Sequence, residues 1–188
     1  MPSPKIVGRD GGRPSSMKKS AIVYWLIPAN PERELFCDII RILYKQFDAP
    51  NFDPHLTLLV AQDGEAPKKI LEKIKAAPIR LGVRGVAVSD TFTKTLFVQM
   101  NPNDSLKNLV VDLDRATRSG SKTVDDPHVS LLYKELPASV KKELASTIKL
   151  PFSEVTFDSI RAVRLTLPVR NREDVESWET IATKSLSA

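Results

Sequence analysis

The chain has 188 residues, 41% of them hydrophobic and 27% charged, and is long enough to bury the core of one globular domain. Its net charge of +5, from 28 basic and 23 acidic residues, suits a phosphate-bearing ligand, but no dense basic run indicates a nucleic-acid backbone. A single cysteine excludes an intramolecular disulfide, and no apolar run approaches the roughly 20 residues of a membrane helix. The first residues lack the apolar core of a secretory signal, so we expect a cytoplasmic protein.

Residues 1–20 are rich in proline, glycine and serine and have no periodic apolar pattern, which is typical of a flexible tail. A β-rich run then opens a domain that we expect to span 21–184. Asn30 and Pro31 are typical of a helix cap and a first helical position, and apolar residues follow at helical spacing as far as Phe47. We predict the first helix there.

Strand-like and helical patterns then alternate along the chain. Helices are predicted around 70–74, 104–117 and 138–148, and strands at 55–60, 79–88, 95–100, 128–133, 155–167 and 176–183. This succession of strands and helices predicts an α+β protein. We expect a bilobal fold in which two β-sheets line a central cleft and the helices pack outside.

The chain has only two histidines, and both lie in the same local sequence. Segment 53–59 reads DPHLTLL and segment 126–132 reads DPHVSLL, so the two match at every position if Leu/Val and Thr/Ser exchanges are allowed. Their histidines lie 73 positions apart. This is an internal repeat of a site rather than the short period of a solenoid.

Strand geometry brings the polar residues of each motif together. Side chains at i and i+2 project from the same face, so His55 lies beside Thr57 and His128 lies beside Ser130. The residues between them point the opposite way and can pack beneath helices. If the two strands are neighbours, two imidazoles face two hydroxyls across a cleft.

This set of groups fits the opening of a cyclic phosphate on a ribose. One proton must leave the attacking water and another must reach the departing oxygen, and histidine does both near neutral pH because its ordinary pKa is about 6.5. His55 and His128 are therefore the candidate acid–base pair, in an order that the sequence leaves open. Thr57 and Ser130 are candidates to donate hydrogen bonds to the phosphate oxygens.

Other chemistries have weaker support. Neither hydroxyl has a base beside it in sequence, which disfavours a covalent serine mechanism. Two histidines without an HxH, HxxxH or cysteine partner are too few for a zinc site, so we expect no metal and no other cofactor. We expect several basic residues to form a solvated face from which one side chain can reach a distal phosphate: Lys94, Arg161, Arg164, Arg170 and Arg172.

The paired motifs resemble those of the 2H phosphoesterase superfamily, H-x-[ST]-hydrophobic, and within it the cyclic phosphodiesterase-like family. The resemblance also takes in 24–28 (YWLIP), 127–133 (PHVSLLY) and 177–180 (SWET), so it covers most of 20–184. It implies a bilobal α+β fold and a reaction without a metal. It further implies hydrolysis of ADP-ribose 1″,2″-cyclic phosphate or of nucleoside 2′,3′-cyclic phosphates, the latter to 2′-phosphates.

The resemblance also implies roles for single residues. The family's catalytic and phosphate-contacting positions fall on the histidines and hydroxyl residues of the two motifs. Trp25 and Tyr133 match aromatic positions that flank the pocket and are candidate substrate contacts. Phe92 is a further candidate, in a stretch (89–95) that departs from the aromatic-rich version in the plant enzymes and leaves the nucleotide preference open.

Two other functions stay open. Enzymes of the same superfamily act on RNA ends, although the dispersed charge of this chain argues against a long RNA substrate. A non-catalytic module that senses a cyclic nucleotide would use the same cleft without turnover. We favour an enzyme that acts on a small-molecule cyclic phosphate, as a monomer with no membrane partner.

Overall fold

The computed structural model describes residues 18–64, 66–120 and 124–187. The predicted flexible tail over 1–20 lies outside the described residues as far as position 17. Its last residues belong to the first strand, which begins at Lys19.

Seven strands and five helices alternate along the described part of the chain, with one 3₁₀ turn at Phe92–Lys94. In chain order they are β1 (Lys19–Pro28), α1 (Glu32–Phe47), β2 (Leu56–Gln62), α2 (Pro67–Lys73), β3 (Ile79–Val88), β4 (Leu96–Met100), α3 (Asp104–Thr117), β5 (His128–Leu132), α4 (Ala138–Thr147), β6 (Glu154–Leu167), α5 (Arg172–Glu176) and β7 (Glu179–Ser185). Within this part, no helix is both long enough and apolar enough to cross a bilayer.

The two ends of the domain differ in detail from the prediction. The prediction of uninterrupted strands at the carboxyl end is wrong, because α5 separates β6 from β7. Asn171 caps this short helix by accepting a hydrogen bond from the Asp174 amide at 2.9 Å. At the amino end α1 has no side-chain cap, since Asn30 donates to Glu34 Oε1 at 2.9 Å instead.

All strands belong to one sheet in the order β1-β2-β5-β4-β3-β6-β7, and β6 also pairs with β1. Six strands therefore form a closed circuit of antiparallel pairings, with β7 attached outside it to β6. The length of β6 allows this closure, since residues 154–157 pair with β3 and residues 157–167 pair with β1. The α+β class is confirmed, and the strands of the two halves are joined into one sheet because β6 runs across both.

The main hydrophobic core lies between the sheet and the helices. Each long helix packs on the motif strand of the other half, since α1 contacts β5 and α3 contacts β2. The residues predicted to point inward from the motif strands are at most 2% exposed: Leu56, Leu58, Val129 and Leu131. A smaller apolar cluster on the other side of β1 and β6 includes Val23, Trp25 and Leu165.

We expect two isoleucines of α1 to respond differently to truncation. Ile40 is 1% exposed in the main core, whereas Ile42 is 62% exposed. Ile40→Ala should lower the free energy of unfolding by about 2–5 kcal/mol, because it removes buried methylene groups and leaves a cavity. Ile42→Ala should change it by less than about 0.5 kcal/mol. Chemical denaturation measures both values, and equal losses would contradict the observed packing of α1.

Candidate active site

The two histidine motifs meet through a single strand pairing. Strand β2 pairs antiparallel with β5 through Leu56 and Val129, the central residues of the two motifs, and neither is exposed. The neighbours of such a position lie next to each other and project to the opposite face. The histidine and the hydroxyl residue of each motif therefore come to one face of the sheet, and the condition that the two strands be neighbours is met.

An aromatic residue from a flanking strand supports each imidazole. Strand β1 places Trp25 opposite Thr57, and the Trp25 ring stacks on His55 with 3.7 Å between centroids and 14° between planes. Strand β4 supplies Phe97, which meets His128 edge-on at 5.3 Å and 66°. The repeat thus extends beyond the motif to a whole β-α-β unit, with the aromatic residue on the first strand and the histidine at the start of the second.

His55 is the more deeply buried of the two histidines, with 6% of its surface exposed. Trp178 approaches its ring at 5.8 Å and Phe52 at 6.2 Å. Burial lowers the pKa of His55 from its ordinary 6.5 to about 4, although its hydrogen bond to the Asp53 carbonyl acts in the other direction. His55 is therefore neutral at pH 7.

His128 has a more open position at the start of β5. Burial lowers its pKa as well, and the charge of Lys94 adds to this, while contacts with Asp126 oppose it. Because His128 is less buried than His55, it is the easier of the two to protonate.

Both imidazoles are held in one tautomer by a peptide two residues earlier. Nδ1 of His55 lies 2.7 Å from the Asp53 carbonyl oxygen, and Nδ1 of His128 lies 2.8 Å from that of Asp126. A carbonyl oxygen only accepts, so Nδ1 carries the proton in each ring and donates it. Nε2 is the nitrogen left to take or to give a proton.

The hydroxyl residues of the two motifs have different surroundings. Thr57 is exposed and lines a cleft together with His55. Ser130 is 3% exposed, and its Oγ donates to the Thr93 carbonyl at 2.9 Å. The Tyr133 hydroxyl lies 3.5 Å from His55 Nε2, and Ser130 of the other motif is close enough to lower its pKa slightly against the larger effect of burial. Burial raises the pKa of Tyr133 well above its ordinary value, so its phenol stays protonated.

The cleft in front of His55 has a volume of about 360 Å³. Its lining includes hydroxyl residues such as Thr57 and Tyr133 and apolar residues such as Val60 and Leu165, whereas His128 and Ser130 are not among the described lining residues. No described residue that lines it carries a permanent charge. Nor do residues 18–64, 66–120 and 124–187 contain any group of three or more histidine, cysteine, aspartate or glutamate side chains placed to hold a metal ion.

Two of the three aromatic candidates reach this cleft. Trp25 and Tyr133 line it, although Trp25 is only 4% exposed and lies against the His55 ring. Phe92 packs against Tyr133, with 6.1 Å between ring centroids, and is not among the described lining residues. A substrate contact by any of the three stays a prediction.

The carboxylates of the two motif aspartates are each held by a cation. Arg161 of β6 donates to Asp53 at 2.6 Å. Lys94 forms an ion pair with Asp126, to which Gln99 also donates at 3.0 Å. The prediction of a solvated basic face is wrong for Arg161 and Lys94, whose side chains are 14% and 20% exposed because they turn toward these carboxylates.

Two features that support the site were not predicted: the contact of Phe97 with His128 and the pairing of Arg161 with Asp53. The spacing in the sequence could have predicted Phe97, because it precedes His128 by 31 positions, much as Trp25 precedes His55 by 30. No sequence pattern predicts the pairing of Arg161 with Asp53, because the two residues lie 108 positions apart.

The architecture of a known family matches this arrangement. The family model described as cyclic phosphodiesterase-like protein matches residues 20–186. The chain belongs to this family. The cyclic phosphodiesterase of Arabidopsis thaliana is 26% identical over 179 residues, which cover 91% of this chain and 98% of that protein. The resemblance to 2H phosphoesterases is thereby confirmed, and the chain is a hydrolase-type phosphoesterase of the cyclic phosphodiesterase family.

Solved structures are similar to this family member in fold. E. coli LigT in its apo form gives a TM-score of 0.57 at 19% identity and covers 92% of this chain and 100% of its own. E. coli LigT complexed with 3′-AMP gives 0.53 at 15% identity, with 90% and 99% covered. A further phosphoesterase gives 0.55 at 16% identity, also with 90% and 99% covered. Identities this low support the fold alone.

The buried, neutral His55 should make the stability of the fold depend on pH. The unfolded chain binds a proton there near pH 6.5 and the folded chain only near pH 4, so the unfolded state holds more protons between these values. The free energy of unfolding should therefore fall as pH drops from 6.5 to 4, by about 3 kcal/mol for this residue. The lowered pKa of His128 acts in the same direction.

Urea denaturation at stepped pH measures this dependence. His55→Gln should flatten the curve between pH 4 and 6.5, and His128→Gln should flatten it less. Carboxylates with lowered pKa, such as Asp126, titrate below 3.8 and so act outside most of this window. A His55→Gln curve as steep as that of the native chain would refute the neutral buried imidazole.

Proposed function

We propose that this protein hydrolyses nucleoside 2′,3′-cyclic phosphates to nucleoside 2′-phosphates without a metal ion, with His55 as general base and His128 as general acid. The observation that supports this most directly is that both imidazoles share one tautomer, in motifs paired through Leu56 and Val129. Each ring therefore offers Nε2 for proton transfer from the same face of the sheet.

The proposed reaction consists of one displacement with two proton transfers. Nε2 of neutral His55 takes a proton from a water molecule that attacks phosphorus. The P–O3′ bond breaks as protonated His128 gives its Nε2 proton to O3′, which leaves a 2′-phosphate and a 3′-hydroxyl. The hydroxyls of Thr57, Ser130 and Tyr133 donate to the non-bridging oxygens, where negative charge grows. Ser130 exchanges its backbone partner for the phosphate in doing so.

The difference in burial supports this division of roles. A base must be unprotonated when the substrate arrives, and His55, with its pKa near 4, meets that condition at any pH above this value. An acid must carry a proton, and His128 is the less buried ring. A bound phosphate anion beside His128 acts against the lowering of its pKa by burial and favours the charged form.

The lining of the cleft favours a nucleoside over an ADP-ribose derivative. The cyclic phosphate of a nucleoside carries one negative charge, whereas the ADP-ribose compound adds a charged diphosphate. No described lining residue has a permanent charge to pair with a diphosphate, and unpaired charges are costly to desolvate. A volume of about 360 Å³ with apolar lining residues suits one base and its ribose. An RNA chain would require a basic groove instead.

Turnover should be seen with small cyclic nucleotides in the presence of EDTA. We expect the purified protein to convert 2′,3′-cyclic AMP to the 2′-phosphate, and to use ADP-ribose 1″,2″-cyclic phosphate with a lower kcat/KM. His55→Ala and His128→Ala should each lower kcat by about 10²- to 10⁴-fold, because each removes one proton transfer. Chromatography resolves the products, and Ile42→Ala, which changes an exposed helix residue, serves as the control.

No turnover of either compound by the native chain would exclude the proposal. If an RNA oligonucleotide then bound with an affinity that falls steeply with salt, an RNA-end substrate would replace it. If the native chain bound a cyclic nucleotide without turnover, and His55→Ala left that binding intact, a sensing module would replace it.

The pH profile should distinguish the two histidines. The acidic limb of kcat/KM belongs to the base and should fall near pH 4, the pKa of His55. The alkaline limb belongs to the acid and should lie below 6.5, because the pKa of His128 is lowered from that value. We therefore expect kcat/KM for 2′,3′-cyclic AMP to be greatest on the acidic side of neutrality. Steady-state rates measured across this range test it, and a maximum above pH 7 would contradict the assignment.

A further inference from the structure

We propose that Arg161 and Lys94 are positioning residues of this reaction, each orienting a catalytic histidine through the aspartate two positions before it. The inference rests on the proposed function, in which His55 and His128 transfer the protons. It concerns side chains that lie outside the two motifs and contact neither imidazole by a hydrogen bond in the described structure.

The same series of contacts occurs in both halves. In the first half Arg161 donates to the Asp53 carboxylate at 2.6 Å, and the Asp53 carbonyl accepts from His55 Nδ1 at 2.7 Å. In the second half Lys94 pairs with the Asp126 carboxylate, and the Asp126 carbonyl accepts from Nδ1 of its histidine at 2.8 Å. Each cation therefore holds an aspartate, and the backbone carbonyl of that aspartate orients an imidazole.

The two cations come from unrelated parts of the fold. Arg161 lies on β6, 108 positions after Asp53, whereas Lys94 lies on the 3₁₀ turn, 32 positions before Asp126. The internal repeat explains the aspartates but not the cations, since no equivalent segment supplies both. Because two unrelated segments each place a cation on a motif aspartate, we infer that the site requires a cation there.

Stabilisation of the fold is a poor explanation for these ion pairs. The aspartate carboxylates are 50% and 48% exposed, and ion pairs with exposed partners contribute little. The Arg161 side chain is only 14% exposed, and its Nε has no hydrogen-bond partner among the described residues, which is unfavourable for a buried donor. Lys94 also covers the ring of Phe97 at 4.3 Å, the same ring that contacts His128. The positions of both cations are therefore better explained by the orientation of the aspartates that they hold.

Charge gives the two cations a second effect on the histidines. The charge of Arg161 lowers the pKa of His55, and that of Lys94 lowers the pKa of His128. Loss of either cation also leaves an aspartate with less of its charge balanced, since among the described residues only Arg33 at 3.8 Å then remains beside Asp53 and only the neutral Gln99 beside Asp126. Both changes favour a protonated ring. The titratable or charged groups that face the histidines or their aspartates come from several elements: Arg33 and Cys37 from α1, Asp53 from the loop after it, Arg161 from β6, Lys94 from the 3₁₀ turn, Asp126 before β5 and Tyr133 after it. His128 also acts on His55.

Three substitutions to glutamine test the inference. Arg161→Gln and Lys94→Gln each remove one cation and keep a polar side chain. Arg164→Gln is the matched control, because Arg164 lies on the same strand but is 42% exposed and pairs with Asp63 and Glu179. Arg161→Lys keeps the charge and loses the forked geometry.

We expect Arg161→Gln and Lys94→Gln to lower kcat for 2′,3′-cyclic AMP by about 10- to 100-fold with a much smaller change in KM, because a displaced imidazole impairs the proton transfer more than the binding. Arg161→Lys should recover part of the loss, and Arg164→Gln should stay within about twofold of the native rate. Arg161→Gln should move the acidic limb of the pH profile upward, and Lys94→Gln should move the alkaline limb upward.

Imidazole ¹⁵N–¹H spectra give a readout that does not require turnover. In the native chain Nδ1 of both rings should carry the proton, and in Arg161→Gln the Nδ1-protonated fraction of His55 should fall while that of His128 is kept. If Arg161→Gln had the same kcat, pH limbs and imidazole signals as Arg164→Gln, the inference would be overturned and the proposed function would stay in place. A native chain without turnover would overturn the proposed function, and the spectra would still decide whether Arg161 holds the tautomer of His55.

Discussion

The pairing of Leu56 with Val129 is the contact on which the whole candidate site depends, because it is the point where two distant motifs become neighbours. Side chains alternate along a strand, so a slip of one residue would turn the histidine toward the core beneath the helices and bring the leucine to the face of the site. The register is held on both sides, by β1 against β2 and by β4 against β5. It is also held from the core, where α1 and α3 each pack on the motif strand of the opposite half.

The aromatic residues around His55 serve structure and chemistry at once. Stacking on Trp25 and the approach of Trp178 keep water away from the ring and keep the ring in one plane. The same burial opposes a proton on the imidazole, so the residue proposed as the general base also lowers the stability of the fold in acid. Among the described aromatic residues, Phe97 alone contacts the His128 ring, and the ring has a more open position, which leaves it better able to hold charge. Two closely similar motifs thereby acquire different proton affinities from their surroundings.

Much of this molecule was predictable because its halves repeat. The local pattern DPHxT or DPHxS, with period-two alternation, is enough to predict which side chains of each motif point inward, and the amphipathic spacing of α1 and α3 predicts their extent. Interactions between distant segments were not predictable. The span of β6 across both halves, and the reach of Arg161 to Asp53, depend on tertiary packing that leaves no local pattern. Helix α5 is too short for apolar periodicity to show, and only its asparagine cap marks it.

The closed circuit of six strands has a mechanical consequence. A hinge needs a few connecting residues that absorb rotation of the backbone, whereas here β6 runs unbroken from one half to the other and β2 pairs with β5. To swing the halves apart, β6 would have to separate from β1 or from β3, which means breaking hydrogen bonds in the middle of the domain. The strand pairings therefore set the width of the cleft. A molecule that binds there has to fit this width, apart from what rotation of the side chains at the rim allows. Substrate and product would then pass through the same opening, so the rate of product release would depend on the affinity of the cleft for the product.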